Sequence, residues 1–114
     1  MDKNTLRTIK IKTGVLKRSV KDYSSYREEA KQLEAKVDKL KAEEADEHDI
    51  NKQTQVMQES LDMLPSCKTK IESALEDLKE VVEDQQENED YKESEEGKNA
   101  EAIIAEANAF LEGL

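Results

Sequence analysis

The sequence predicts an all-α protein: an antiparallel up-down-up bundle of three helices, drawn out into an elongated rod, with the second helix kinked at Pro65. Two segments keep apolar residues at alternating spacings of three and four over about thirty residues each, which places those residues on one helix face. Charged residues make up 40% of the 114 residues and hydrophobic residues 35%, a composition typical of either disorder or long amphipathic helices. The periodicity favours helices.

The first helix is predicted at about residues 5–42. Its apolar residues form a heptad seam with one stammer, where two spacings of three adjoin and a supercoil should tighten locally. Gly14 lies within this helix, where glycine costs up to about 1 kcal/mol relative to alanine. A close approach by another backbone is one reason for a glycine at this point. The stammer falls at Val20, Tyr23 and Tyr26.

The second helix is predicted at about residues 49–83. Apolar residues recur every seven positions from Ile50 to Leu78, and further apolar residues widen this arc on both flanks, so the helix should touch two neighbours. Pro65 lies at an outward position, where its missing N–H should kink the helix without ending it. The flanking residues of the arc are Val56, Leu61, Met63, Cys67, Ala74, Leu75, Val81 and Val82.

Two polar segments separate the helices, and their shortness makes successive helices antiparallel neighbours. The first is Glu43–Asp49, and the second turn is expected at about residues 83–88, inside an acidic run. The third helix is predicted at about residues 88–112, weak in its first half because of Gly97. The three helices are expected to form a single domain over residues 1–114.

Polar residues at the predicted helix starts provide candidate caps. Asn4 or Thr5 can cap the first helix, and Asp46 or Asp49 can cap the second. Side-chain oxygens of these residue types accept hydrogen bonds from the free N–H groups of a first helical turn.

The charges are unevenly divided along the chain. Residues 1–42 carry 12 Lys and Arg against 6 Asp and Glu, a net charge of +6, whereas residues 43–114 carry 6 against 22, a net charge of −16. A basic first helix beside acidic later helices favours their packing. With a total of −10 and no apolar stretch of membrane-spanning length, we expect a soluble protein that binds neither nucleic acid nor membrane. A single cysteine and no apolar signal segment indicate the cytoplasm.

No motif for catalysis is present. The sequence lacks a glycine-rich phosphate loop, a Cys/His metal spacing and a nucleophile motif. His48 is expected to be a solvated turn residue and Cys67 a small core residue. The carboxylates lack the spacing of a calcium loop. We therefore expect a protein that is not an enzyme and uses no cofactor and no metal.

One face of the first helix is a candidate partner site. Six cations between Arg7 and Lys21 cover much of the face away from the seam, and no acid occurs among residues 3–21. Ile11 and Val15 lie opposite the seam on a helical wheel. The plain interpretation is a solvated basic face whose two apolar residues widen the contact with helix three. The alternative is a docking site for an acidic, incompletely folded protein. The candidate residues are Lys10, Ile11, Lys12, Val15, Lys17, Arg18, Lys21 and Tyr26.

Several stretches resemble the tubulin-binding cofactor A family, also called tubulin-specific chaperone A. The resemblance covers about residues 7–93, and Pro65 followed by Cys67 is a specific part of it. Beyond Glu95 the chain departs from the family pattern, because its tail is longer and carries Gly97. The similar stretches are IKIKTGVLKR at 9–18, EAKQLEAKVDKLKAE at 29–43, DINKQ at 49–53, QESLDMLPSCKTKIESALEDL at 58–78 and EDYKES at 89–94.

The resemblance implies a three-helix bundle that captures β-tubulin folding intermediates after the cytosolic chaperonin and supports assembly of the αβ-tubulin heterodimer. β-Tubulin is then the expected partner, together with other tubulin-folding cofactors, in a cytoplasmic, cytoskeleton-associated setting. We expect a monomer, with a homodimer as the alternative. The heptad phase of the first two helices supports a second hypothesis: a structural coiled-coil scaffold or self-associating adaptor without chaperone activity.

Overall fold

The computed structural model describes residues 2–114 and contains four helices, α1 (Lys3–Ala42), α2 (Glu47–Glu83), α3 (Glu89–Glu93) and α4 (Glu95–Glu112). No strand occurs in residues 2–114, so the predicted all-α class is confirmed. The prediction of one continuous third helix was wrong, since α3 and α4 occupy that segment. α2 continues through an exposed Pro65. The kink there and the three-helix bundle of the whole chain stay predictions.

The chain divides into two compact units. The first consists of the N-terminal segment ending at Lys21 together with Lys68–Leu114, and the second is Asp22–Cys67. The first unit therefore holds the start of α1, the end of α2 and both short C-terminal helices, while the second holds the remaining parts of α1 and α2.

In the first unit the apolar arc of α2 is covered across its width. Leu75 and Val82 are buried together with the central heptad residues Ile71 and Leu78, so neighbours reach both the middle and the flank of the arc, as predicted. The other buried residues of this unit are Ile9, Thr13, Leu16, Ala74, Tyr91, Gly97, Ala100 and Ala107.

Two side-chain hydrogen bonds show that α2 and α4 run antiparallel in the first unit. Lys79 Nζ donates to Asn108 Oδ1 at 3.3 Å, and Gln86 Nε2 donates to Glu101 Oε1 at 3.1 Å. From Lys79 in α2 to Gln86 in the turn just after it the residue numbers rise, while those of the partners in α4 fall from Asn108 to Glu101. The direction of α4 against α2 is therefore fixed at two levels of this unit.

In the second unit the apolar arc of α2 is only partly covered. The flank residues Val56, Leu61 and Met63 are 38%, 39% and 41% exposed, respectively, so the predicted wide contact does not extend to this part of the helix. The unit contains only two helical segments, and a helix with one neighbour needs only a narrow seam. Ser60 and Cys67 are the buried α2 residues here.

The register of α1 is set by one buried residue in every seven, and the predicted stammer leaves that series unbroken. What changes is the flanking residue. In the first unit the flanking residue lies four positions after a buried one, as Thr13 does after Ile9. In the second unit it lies three positions after, as Leu33 does after Ala30. The side of α1 that accompanies the buried series therefore differs between the units. The series is Ile9, Leu16, Tyr23, Ala30 and Val37.

Residues 43–46 form a tight turn between α1 and α2 in the second unit. Ala45 N donates to Leu40 O at 3.0 Å, and Glu44 N donates to Lys41 O at 3.2 Å. These two bonds are those of a Schellman motif, which satisfies carbonyls left free at a helix end. Glu44 adopts the left-handed conformation that the motif requires, with φ of 54°.

Aspartate side chains cap the starts of both long helices. Asp2 Oδ1 accepts a hydrogen bond from the N–H of Asn4 at 3.0 Å, so the prediction of Asn4 or Thr5 as the first cap was wrong. Asp46 Oδ1 accepts one from the N–H of His48 at 3.2 Å, which confirms Asp46 as the cap of α2.

Ser94 is the residue at which α3 ends and α4 begins. Its hydroxyl donates to Tyr91 O at 2.7 Å and accepts from the N–H of Gly97 at 2.9 Å. A Cβ on Gly97 would overlap the Tyr91 carbonyl oxygen, so this close approach requires a glycine. Gly97 is thus a packing requirement of the joint. Gly14, by contrast, has no atom of another element within 4 Å of an added Cβ, so a close approach by another backbone is not the reason for that glycine.

The two isoleucines at 71 and 11 give a matched test of the core. Ile71 is 0% exposed and Ile11 is 55% exposed. Ile71→Ala should lower the free energy of unfolding by about 2–5 kcal/mol, because it opens a cavity. Ile11→Ala should change it by less than about 0.5 kcal/mol. Leu64 belongs to the same predicted seven-residue series as Ile71, but it is half-buried, so the effect of Leu64→Ala should lie between the other two. Urea denaturation followed by circular dichroism measures all three, and equal effects at positions 71 and 11 would contradict the assignment.

The two glycines should respond oppositely to the same substitution. Gly97→Ala should lower the free energy of unfolding by about 1–3 kcal/mol, because the new methyl group meets backbone that cannot rotate away. Gly14→Ala should raise it by about 0.4–1 kcal/mol, since alanine is the better helix former and has room. Urea denaturation of both variants checks the pair, and stabilisation by Gly97→Ala would refute the close packing at the joint.

Candidate functional site

Ile11 and Val15 are the most exposed of the large hydrophobic side chains described, at 55% and 51%. They are four residues apart on α1 and so lie one turn apart on the same face. The sequence prediction that they stand away from the buried seam is confirmed by this exposure. Two adjacent apolar side chains in water form a candidate contact surface.

The two residues line a groove between α1 and α2 in the first unit, with a volume of about 370 Å³. They therefore face the α2 side of α1. The groove lining includes no residue of α3 or α4, so the plain interpretation that these two residues widen the contact with helix three was wrong. Ala74 and Asp77 are the α2 residues of the groove, and the sequence analysis did not identify them. The complete lining is Thr8, Ile11, Lys12, Val15, Ala74 and Asp77.

The groove continues toward the start of α1. A second depression, of about 270 Å³, shares Thr8 with the first. Opposite α1 it is lined by Val81 of α2 and by Asp84 and Gln85 of the turn that follows. The two depressions therefore follow one boundary, which runs from α2 into that turn. Along this boundary α1 and α2 run antiparallel, because lower α1 numbers meet higher α2 numbers.

The predicted cations do not share one face. Lys12 lines the α1–α2 groove, whereas Lys10 lines a separate depression beside Thr13 and the start of α4. Lys17, Arg18 and Lys21 are exposed. Within residues 2–114, none of these five cations makes an ion pair with a carboxylate. Their charges are therefore free to meet a partner.

Tyr26, the last candidate residue, is half-buried and belongs to the second unit. The structure thus brings Ile11, Lys12 and Val15 together in one groove, places the exposed cations on the same helix, and leaves Tyr26 in the other unit. The α2 wall of the groove, which the sequence analysis did not identify, could have been suspected from Ala74. A small residue in a series of large apolar residues leaves space beside it.

Tyr91 has the one clearly displaced pKa among the described residues. Its side chain is 1% exposed, and its hydroxyl donates to Glu101 Oε1 at 2.7 Å. Burial raises its pKa well above the ordinary 10.0, and the hydrogen bond to Glu101 and the charge of that carboxylate raise it further. A phenol that keeps its proton is a poor base and a good donor. Tyr91 therefore ties α3 to α4.

Among residues 2–114, no group of three His, Cys, Asp or Glu side chains is placed to hold a metal ion. Cys67 is a free thiol and buried, in agreement with its predicted place in the core. No helix in the described part of the chain has the length and apolar character of a membrane span.

The bond between Tyr91 and Glu101 predicts a loss of stability at alkaline pH. Below pH 10 the tyrosine is protonated in both folded and unfolded chains, and its contribution is complete. Above pH 10 the unfolded chain loses the proton while the folded chain holds it, so stability falls as pH rises. Tyr91→Phe should cost about 0.5–3 kcal/mol at pH 7 and flatten the decline above pH 10. Denaturation at pH 7 to 11 tests this, with Glu101→Gln, which keeps an acceptor, as the control.

Comparison with known proteins identifies the family. The family model described as Tubulin binding cofactor A matches residues 4–104. The human tubulin-specific chaperone A is 43% identical over 99 residues, 87% of this chain and 89% of that protein.

Solved structures agree with this match. The crystal structure of tubulin folding cofactor A from Arabidopsis thaliana superimposes with a TM-score of 0.86 at 37% identity, covering 95% of this chain and 99% of that one. The human tubulin chaperone cofactor A gives a TM-score of 0.75 at 40% identity, covering 91% and 98%. The resemblance read from the sequence is therefore confirmed, and the chain belongs to the tubulin binding cofactor A family.

Proposed function

We propose that this protein is a tubulin-folding cofactor that captures and stabilises β-tubulin folding intermediates after the cytosolic chaperonin and supports assembly of the αβ-tubulin heterodimer. Its family and the names of its relatives, tubulin-specific chaperone A and tubulin-folding cofactor A, support this role. The protein acts by binding, without enzymatic chemistry and without a cofactor, in the cytoplasm and in association with the cytoskeleton.

The observation that carries the proposal is an apolar strip with cations beside it that form no ion pair within residues 2–114. Ile11 and Val15 are half-exposed, and Lys12 and Arg18 lie near them on α1 without ion pairs in residues 2–114. An incompletely folded protein still exposes apolar surface that is buried in its native state. If that protein is also acidic, the cations attract it and the apolar strip holds it.

The proposal includes the architecture expected from the sequence. The protein works as an antiparallel up-down-up bundle in which α3 and α4 together take the place of the third helix. It acts as a monomer, and it meets other tubulin-folding cofactors when the captured β-tubulin is passed on. The antiparallel pairing of α2 with α4 in the first unit supports this arrangement.

A coiled-coil scaffold is the second candidate function. The unbroken series of buried residues at every seventh position of α1 favours it, because such a series also suits self-association. Light scattering after size exclusion distinguishes the two. A mass that stays monomeric at every concentration excludes obligate self-assembly.

Charge reversal on α1 tests the proposed function. Lys12→Glu, Lys17→Glu and Arg18→Glu together should weaken capture of β-tubulin about 10- to 100-fold, if each contact contributes about 0.5–1 kcal/mol. The helical content should not change, because Lys17 and Arg18 are exposed and Lys12 lies at the edge of a groove. Capture is measured by co-elution of the chain with β-tubulin released from denatured heterodimer and refolded with chaperonin.

The matched control is the triple variant Lys31→Glu, Lys36→Glu and Lys52→Glu. These three lysines are exposed and lie in the second unit. Because the control also replaces three cations by Glu, it has the same total charge as the test variant. It should capture β-tubulin as well as the unmodified chain. If both variants bind normally, the basic face is only a solvated surface, and if the unmodified chain forms no complex the proposed function is wrong.

A further inference from the structure

We propose that the groove between α1 and α2 in the first unit receives one amphipathic helix of the captured protein, with acidic residues along the edge that lies over α1. This inference rests on the proposed function and names the kind of segment that the site recognises. The groove is lined by Ile11, Val15 and Ala74, with Lys12 on the α1 wall and Asp77 on the α2 wall.

The chemistry of the walls favours a helix over an extended segment. Both walls belong to helices, whose backbone N–H and C=O groups are already bonded within each helix. An extended segment would find no backbone partner against Ile11, Val15 and Ala74, and its own polar groups would lose water without compensation. A helix satisfies those groups internally and offers only side chains to the groove.

The length of the groove suits a short helix. On α1 its lining extends from Asn4 to Val15, which corresponds to about 16 Å at 1.5 Å per residue. Three turns of a partner helix fill that length. The same unit already shows such packing, because Ala100 and Ala107 of α4 are 0% exposed. α4 approaches α1 near Lys10 and Thr13, away from the side that carries the groove.

The charges specify the orientation of the partner helix about its own axis. Arg7 and Arg18 flank Ile11 on the solvent side of α1, at about 160° and 180° on a helical wheel on which Ile11 lies at about 200°. Both are exposed, and neither forms an ion pair within residues 2–114. On the opposite side stand Asp77 of α2 and Asp84 of the turn that follows α2. The edge of the partner helix over α1 is therefore acidic, and the edge over α2 is neutral or basic.

Photo-crosslinking during capture of β-tubulin tests this inference. A benzoylphenylalanine replaces Val15, which is half-exposed and tolerates the larger side chain. The control carries the same group at Ala105, which is exposed on α4. After irradiation, mass spectrometry identifies the crosslinked β-tubulin segment. We expect at least a five-fold higher yield from position 15, within a segment that has apolar residues at helical spacing and Asp or Glu along one edge.

A double charge reversal tests whether cations of α1 attract the acidic edge of the partner helix. Arg7→Glu with Arg18→Glu, introduced into the position-15 probe, should reduce that crosslink at least five-fold, whereas the control variant Lys31→Glu with Lys36→Glu should leave it unchanged.

The outcomes separate the two proposals. If the complex forms but position 15 reacts no better than position 105, or reacts with a segment that lacks an acidic edge, the inference is wrong while the proposed function stands. If no complex forms with the unmodified chain, the proposed function fails and the inference with it.

Sedimentation with vesicles of equimolar phosphatidylcholine and phosphatidylserine tests whether the same surface binds a membrane instead. Binding to these vesicles that is lost with Arg7→Glu and Arg18→Glu, without a β-tubulin crosslink, would assign the surface to a membrane and overturn the inference.

Discussion

The packing of α1 against its neighbours depends on a strict seven-residue register. Ile9, Leu16, Tyr23, Ala30 and Val37 are buried in succession, and a helix returns to nearly the same angle after seven residues. With few large side chains available in a chain that is 40% charged, this single line carries much of the burial along α1. A side chain outside this series is buried only where another helix is present to cover it.

The number of helices around α2 explains why its flank residues are buried in one unit and exposed in the other. In the first unit α4 supplies a further helical neighbour, and the flank residues Leu75 and Val82 of α2 are buried. In the second unit only α1 and α2 are present, and Leu61, at the position equivalent to Leu75 in the heptad, stays 39% exposed. The same sequence pattern therefore has two structural outcomes. The open groove at Ile11 and Val15 belongs to the first unit. It lies on a different side of α1 from the one that α4 approaches.

The sequence alone predicted the all-α class and the two long helices, because a regular apolar period over tens of residues has few other physical explanations. The division of the last segment at Ser94 was not predictable, since it depends on the close contact of Gly97 with the Tyr91 carbonyl. The same limit applies to glycine in general: periodicity marks Gly14 and Gly97 as equally unfavourable, and only the neighbouring atoms show that one is required and the other is not.

The candidate surface was predictable in part. A helical wheel is enough to place Ile11 and Val15 opposite the buried seam, because it needs only the geometry of one helix. The wall formed by Ala74 and Asp77 needs knowledge of which neighbour lies on which side of α1, and no pattern within one helix contains it. For the same reason the sequence grouped Lys10 with Lys12, although the structure places them in separate depressions.

The division of the chain into units has a consequence for the order of folding. The second unit is one uninterrupted stretch of 46 residues, Asp22–Cys67, whereas the first joins two segments that are separated by that stretch. Contacts near in sequence form at a lower entropic cost than contacts across a long loop. We expect the helical hairpin of the second unit to form early and to shorten the loop that the first unit must close. The groove at Ile11 and Val15 is then completed late, so a newly made chain acquires its proposed binding surface only at the end of its own folding.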